Sequence, residues 1–178
     1  MSYRFELLSN ETAGLAWKFH VSPSSCDGPE NYENFLRLIA STDYISGMGT
    51  THIMIDDDAN RIAGYITLRA TALIGEGDRG TKIMSPALEI AMLAVDKDYE
   101  RQQIGSFLLS QALVIATQLK KELLGIKHIV VCADPKSTAF YSKNHFVPLS
   151  TIYEVLHDGF NDNCIPYFIT LQEQSPTA

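Results

Sequence analysis

No apolar run in this 178-residue chain approaches the roughly 20 residues needed to cross a bilayer. The opening residues, MSYRFELLSN, lack the apolar core of a signal peptide, which predicts a cytoplasmic protein with no membrane partner. Cysteine is scarce. Cys26, Cys132 and Cys164 are odd in number and widely spaced, and they match neither a disulfide framework nor a zinc pattern. They read as reduced small hydrophobes, Cys132 especially, because it sits in an apolar strand. Basic residues are also few, 14 Lys and Arg against 21 Asp and Glu, for a net charge of −7. That balance argues against a protein that coats nucleic acid, since neutralising phosphates needs cations, although it leaves room for a local basic patch. There is no repeat, no low-complexity tract and no second-domain boundary. Residues 1–178 are therefore predicted to form one domain, with a frayed tail over 172–178.

Metal and nucleotide motifs are missing as well. Asp56-Asp57-Asp58 lacks the alternating ligands, Gly and distant Glu of a calcium loop, and reads as a solvated turn. No metal is expected. Residues 71–85, TALIGEGDRGTKIMS, carry no Gly-Lys-Ser/Thr after a strand and so do not form a P-loop. Their glycines and charges predict a mobile insertion over one face of a sheet.

What remains is an α/β pattern. Residues 1–8 alternate loosely and predict a first strand; 11–20 suggest a short helix and 21–30 a loop. From Asn31, apolar residues Tyr32, Phe35, Leu36, Ile39 and Ala40 recur at helical spacing until Gly47-Met48-Gly49. Residues 50–55 and 61–68 predict a β-hairpin. Residues 86–95 are mostly apolar, as a strand covered on both faces requires. They lead through the polar Asp96-Lys97-Asp98 to a helix over about 100–124, striped by Ile104, Leu108, Ala112, Ile115, Leu119 and Leu123. A strand follows over 126–133. This strand, helix, strand order implies a right-handed crossover between parallel strands. Asp134 and Pro135 open a second helix running from Ser137 to about Asn144. Strands are predicted over 150–156 and 166–171, with a turn at 158–163. The stretch 91–106 organises the chain. A strand that runs through a tight turn into a helix N-terminus presents unpaired N–H groups and the positive dipole end, and so suits a phosphate-bearing cofactor.

Three local patterns then resemble the GNAT superfamily of N-acetyltransferases. Leu93-Ala94-Val95, followed by Tyr99 and Ile104-Gly105-Ser106, looks like the family's cofactor-binding strand, pyrophosphate loop and helix. Ala139-Phe140-Tyr141 followed by Phe146 looks like its A-x-x-F-Y-x-x-x-G-F helix. Gly64-Tyr65 is the usual upstream landmark. The resemblance implies an α/β (α+β) single-domain fold with a central, mixed, twisted sheet flanked by helices and a splayed parallel strand pair holding the cofactor. There are departures. The usual Arg/Gln-x-x-Gly-x-Gly/Ala loop falls on Glu100 to Gly105, with Glu100 for the cation and Gln103 for the first Gly. His145 replaces the Gly before Phe146, so Asn144 is expected to end the helix in a left-handed conformation. Lys136 stands where the family often has Asn.

The resemblance implies acetyl-CoA as cosubstrate and acetyl transfer to a primary amine by direct attack on the thioester. Leu93, Ala94, Val95, Arg101, Gln102, Gln103, Ile104, Gly105, Ser106 and Lys136 would then bind acetyl-CoA. A backbone N–H near Met92 and Leu93 would face the developing oxyanion. Tyr141 matches the family's general acid, a role a phenol suits because it is protonated at neutral pH. Glu89, on the central strand, is the carboxylate candidate for a base, with solvent relay as the alternative. The amine acceptor stays unidentified, and a homodimer rests on family analogy alone.

A finer similarity is to GNAT toxins of toxin–antitoxin modules, which acetylate the α-amine of aminoacyl-tRNA. It rests on Cys26-Asp27-Gly28, Phe35-Leu36 and Gly49-Thr50-Thr51. The net charge disfavours tRNA as a partner. A third reading is a GNAT-fold binding or regulatory protein without turnover, marked by the altered loop at Glu100 and Gln103.

Overall fold

Cross-strand pairing of alternating side chains builds most of this molecule. In the computed structural model, which describes residues 2–149, 153–155 and 163–172, β1 (Tyr3–Leu7) pairs antiparallel with β2 (Thr50–Asp56), and β2 with β3 (Arg61–Glu76). Next comes β4 (Lys82–Val95), antiparallel to β3 and parallel to β5 (His128–Ala133). The sheet closes with β8 (Ile165–Thr170) and β6 (Val147–Pro148), while β7 (Tyr153–Val155) lies against β3 at Leu73–Gly75. The order is β1-β2-β3-β4-β5-β8-β6. This is the mixed sheet with a parallel pair that the sequence predicts.

Helices cover both faces. On one side α1 (Pro29–Asn34) runs through the wide turn Phe35–Ile39 into α2 (Ala40–Ser46) and packs, with Phe19, Phe35 and Leu36, on Ile53, Ile55 and Tyr65. On the other, α3 (Ile104–Glu122) lays Ile104, Leu108 and Ala112 against Ala63, Ile66 and Ile90. Gly64 permits that approach, since a Cβ there would come within 2.9 Å of Ile104 Cγ2 and 3.0 Å of Leu108 Cδ1. The short α4 (Thr138–Lys143) follows β5. Among the described residues, no helix is long and apolar enough to cross a membrane.

Several expectations need correction. Residues 71–85 are not a loop but the far half of a long hairpin. Leu73 pairs with Ser85 and Gly75 with Ile83 around a turn at Asp78–Gly80, where Arg79 and Gly80 take positive φ. The helix expected from residue 100 begins at Ile104, because Arg101 (φ 60°) and Gln103 (φ 64°) are left-handed and cannot continue a helix. It ends at Glu122, and Leu123, read as part of the buried stripe, is exposed. The left-handed residue after α4 is His145 (φ 67°), not Asn144 (φ −94°). Cys132 and Cys164 are not reduced. They form a disulfide with Cα atoms 5.3 Å apart, within the range such a bridge spans. The strand expected over 150–156 is described only at Tyr153–Val155, and the 158–163 turn and the tail lie outside the described residues apart from Asn163 and Gln172. Asp56 serves its turn: its Oδ1 accepts from the N–H groups of Asp58 and Ala59.

Candidate active site

The site is a gap in the sheet. β4 and β5 pair from Ala87–His128 to Ile90–Val131 and then part. At the same point β4 bulges: Thr67 faces Met92 and Leu68 faces Ile90, which leaves Ala91 unpaired. A bulge bends its strand and breaks the ladder locally. The edge of β4 from Ala91 to Val95 therefore faces a groove of about 570 Å³ instead of a strand. One end is closed where the strands rejoin at Ile90 and Val131. The other opens at the N-terminus of α3, where the first bond of the helix runs from Phe107 N–H to Gln103 O at 2.9 Å. The N–H groups of Ile104, Gly105 and Ser106 precede it and have no helical acceptor to serve. Groups so placed can cradle an anion.

The loop leading there is fixed by burial and charge. The Asp96 carboxylate is wholly buried. It accepts from the N–H groups of His20 and Asp98, both at 3.0 Å, and pairs with Arg61 at 3.3 Å. Arg61 also reaches Asp98 at 2.9 Å and lies over the Tyr99 ring. Tyr99 donates its hydroxyl to Asp56 at 2.9 Å, and burial, then that carboxylate, pushes its pKa up to about 12. These ties place Arg101 and Gln103 in strained left-handed backbone beside the groove. Gly105 leaves room: a Cβ there would only reach ordinary contact with Val95 and Phe140, at 3.5 and 3.6 Å.

Of the residues expected to bind the cofactor, Leu93, Ala94, Val95, Arg101, Gln103, Ile104, Gly105, Ser106 and Lys136 all line this groove. Gln102 does not. Its amide donates to Asp98 O at 3.1 Å, outside the groove. Tyr141 lines the groove and is buried; burial first, and the neighbouring Tyr32 phenol second, hold its pKa well above the usual tyrosine value, so it stays protonated. Glu89 is not brought to the groove. It is buried, faces Arg69 at 3.7 Å, and sits on the sheet face away from Leu88 and Ile90. It lies where β4 and β5 are still paired, opposite Val130, before the strands part beyond Ile90 and Val131.

A third wall comes from the segment before α1. The buried Asp134 carboxylate accepts from Asp27 N–H at 2.8 Å and Lys136 N–H at 2.9 Å. The Lys136 ammonium pairs with Asp27 at 2.7 Å and donates to Pro23 O and Cys26 O. The hydrogen bond to Asp27 leads the effects that raise its pKa. Burial, then Asp134, pushes the Cys26 thiol up to about 11, so it is a neutral wall residue and not a nucleophile. Ser25 donates to Glu100 at 2.5 Å. That Ser25, Cys26, Tyr32 and Asp134 meet at one groove has no local sequence signal, because the pairs that place them are distant in the chain; Asp27 and Asp134 are separated by 107 positions and Ser25 and Glu100 by 75.

Glu100 lines the groove beside the α3 N-terminus, where its carboxylate would oppose a phosphate. Glu100→Gln should tighten acetyl-CoA binding about three- to tenfold at low ionic strength, and less as salt screens the charge. Titration of both proteins checks this; equal affinities would show that the carboxylate does not sense the phosphates.

Comparison with known proteins agrees with this geometry. The Acetyltransferase (GNAT) domain model matches residues 49–148. Among solved structures, a mutant of the AtaT toxin superposes with a TM-score of 0.74 at 18% identity, covering 94% of this chain and 89% of that one. A mutant of KacT gives 0.70 at 18% identity, covering 96% and 95%. AtaT complexed with acetyl-methionyl-tRNAfMet gives 0.71 at 18% identity, covering 95% of each chain. At such identities the likeness is one of fold. Another AtaT mutant structure holds both acetyl-CoA and the C-terminus of the antitoxin AtaR.

Proposed function

The chain belongs to the GNAT acetyltransferase family, and on that premise we propose that it acts, as one domain, as an acetyl-CoA-dependent N-acetyltransferase. The observation that carries this reading is the split between β4 and β5, which runs from Tyr141 at one end to the unpaired N–H groups of α3 at the other. The residues present fit the cosubstrate. The α3 N-terminus and the turn at Arg101 and Gln103 would hold the pyrophosphate, and the open edge from Ala91 to Val95 would hold the pantetheine arm as a missing strand would. Acetyl-CoA, when bound, supplies an activated acyl group. A backbone N–H of the bulged edge near Met92 and Leu93 meets the negative charge that grows on the acyl oxygen. Tyr141 gives its proton to the departing sulfur, as a phenol kept neutral by burial can. Lys136 fastens the third wall through Asp27. Glu89, paired with Arg69 away from the groove, is not assigned the base; solvent takes the amine's proton.

For the acceptor, the structural neighbours favour the α-amine of an aminoacyl-tRNA, since AtaT is seen with acetyl-methionyl-tRNAfMet. The excess of acidic residues favours a small amine or a peptide N-terminus instead. Release of CoA thiol from acetyl-CoA, followed with aminoacyl-tRNA, polyamines and short peptides, decides between them. Acceleration above hydrolysis by any one of them supports the enzyme, and the accelerating class names the acceptor. Tight binding of acetyl-CoA with no acceleration by any amine would contradict turnover and leave the binding-protein reading.

A further inference from the structure

Tyr32 and Tyr141 belong to opposite faces of the sheet. Tyr32, on α1, packs with the cluster containing Met92 and Ala94; Tyr141, on α4, belongs to the cluster beneath α3. A continuous sheet would keep them apart. Both nevertheless line the same groove, because β4 and β5 have separated there. Their proximity shows in the charge coupling too, as Tyr32 adds to the upward shift of the Tyr141 phenol.

The backbone at Tyr32 is also tied down. The fully buried Tyr65 donates its hydroxyl to the Tyr32 carbonyl at 2.8 Å. One turn on, Arg37 donates to Phe19 O at 2.6 Å and pairs with Glu33 at 2.9 Å, and Glu33 accepts from Val21 N–H at 3.1 Å. α1 is thus clamped at its carbonyl and at the segment preceding it. An aromatic ring on such a helix has few rotamers with which to move aside.

We infer that Tyr32 closes the blind end of the groove from the face opposite Tyr141 and so sets the length of acyl chain the site accepts. The inference rests on the acetyl-CoA reading. The phosphates belong at the α3 end, so the thioester lies at the closed end by Ile90 and Val131, and carbons beyond the acetyl methyl would run into the Tyr32 ring. Bulk, not the hydroxyl, is what excludes them.

The test is calorimetric titration of wild type, Tyr32→Ala, Tyr32→Leu and Tyr32→Phe with CoA, acetyl-CoA and butyryl-CoA. Wild type should prefer acetyl-CoA to butyryl-CoA by about tenfold or more, the scale on which pockets discriminate by methylenes. Tyr32→Ala should bring that ratio close to one, Tyr32→Leu should lower it in the same direction, and Tyr32→Phe should keep it. The leucine variant carries the test should the alanine variant fail to fold. A ratio equal to wild type in the folded alanine or leucine variant overturns the inference alone, as does a wild type that binds both esters equally. A parallel loss of affinity for CoA and both esters also overturns it, because it would show general damage to the groove. Wild type that binds no CoA species overturns both this inference and the cosubstrate reading.

Discussion

Tyr141→Phe should lower acetyl-transfer turnover about 10²- to 10⁴-fold while leaving the acetyl-CoA dissociation constant within about twofold. The substitution removes one oxygen and little else. The Tyr141 ring sits against Phe140 and Phe146 with centroids 5.1 and 5.7 Å apart, contacts that phenylalanine keeps. α4 and the groove wall should therefore stand, and only the proton donor is lost. Burial penalises the phenolate, so Tyr141 keeps its proton and, in the proposed reaction, would have it to give to the departing sulfur. Steady-state kinetics and calorimetry on the same preparation separate the two quantities. A loss of binding equal to the loss of turnover would contradict the acid role and make Tyr141 a wall residue.

Asp96→Ala should destabilise the fold by roughly 3 kcal/mol or more and lower the melting temperature by roughly 6–12 °C. The carboxylate is fully buried, and three groups depend on it: the N–H of His20, the N–H of Asp98 and the Arg61 guanidinium. Alanine leaves buried donors without acceptors, which costs more than the lost bonds themselves were worth. Asp96 also anchors the start of the turn that carries Arg101 and Gln103 to the groove, so acetyl-CoA affinity should fall with stability. Asp96→Asn, which keeps an acceptor oxygen, should recover part of both. A melting temperature within about 2 °C of wild type would show that the turn is held by its other ties, the Tyr99–Asp56 hydrogen bond and the Arg61–Asp98 pair.

The parts of the fold that were legible in the sequence are those with local causes. Apolar runs at 86–95 and 126–133 around a striped helix dictate the parallel pair and its crossover, and the polar break at Asp96 marks the turn. The far hairpin was not legible, because Gly75, Gly77 and Gly80 with the charges of Glu76, Asp78 and Arg79 weigh as loop residues. Cross-strand partners such as Ile74 and Met84 outweigh that local preference. Glu89 could be placed on the central strand, but not along it: it pairs with Val130, short of the point where β4 and β5 part. The groove shows the same division. Its β4 edge and α3 N-terminus follow from a contiguous stretch, whereas the wall of Ser25, Cys26 and Tyr32 depends on Asp134 reaching Asp27 and on Ser25 reaching Glu100, contacts that exist only once the chain has folded. Gln103 and His145, which stand where the resemblance places glycine, both take a left-handed backbone, the conformation that glycine adopts most readily.

The central claim is that the gap between β4 and β5 is an acetyl-CoA site. Calorimetric titration of the purified protein with acetyl-CoA and with CoA tests it most directly. The account predicts saturable, one-to-one binding of acetyl-CoA at micromolar concentrations, with CoA binding to the same site. No binding of either by a cooperatively folded protein would contradict it, and would mean that Glu100 and Gln103 have closed the groove to its phosphates.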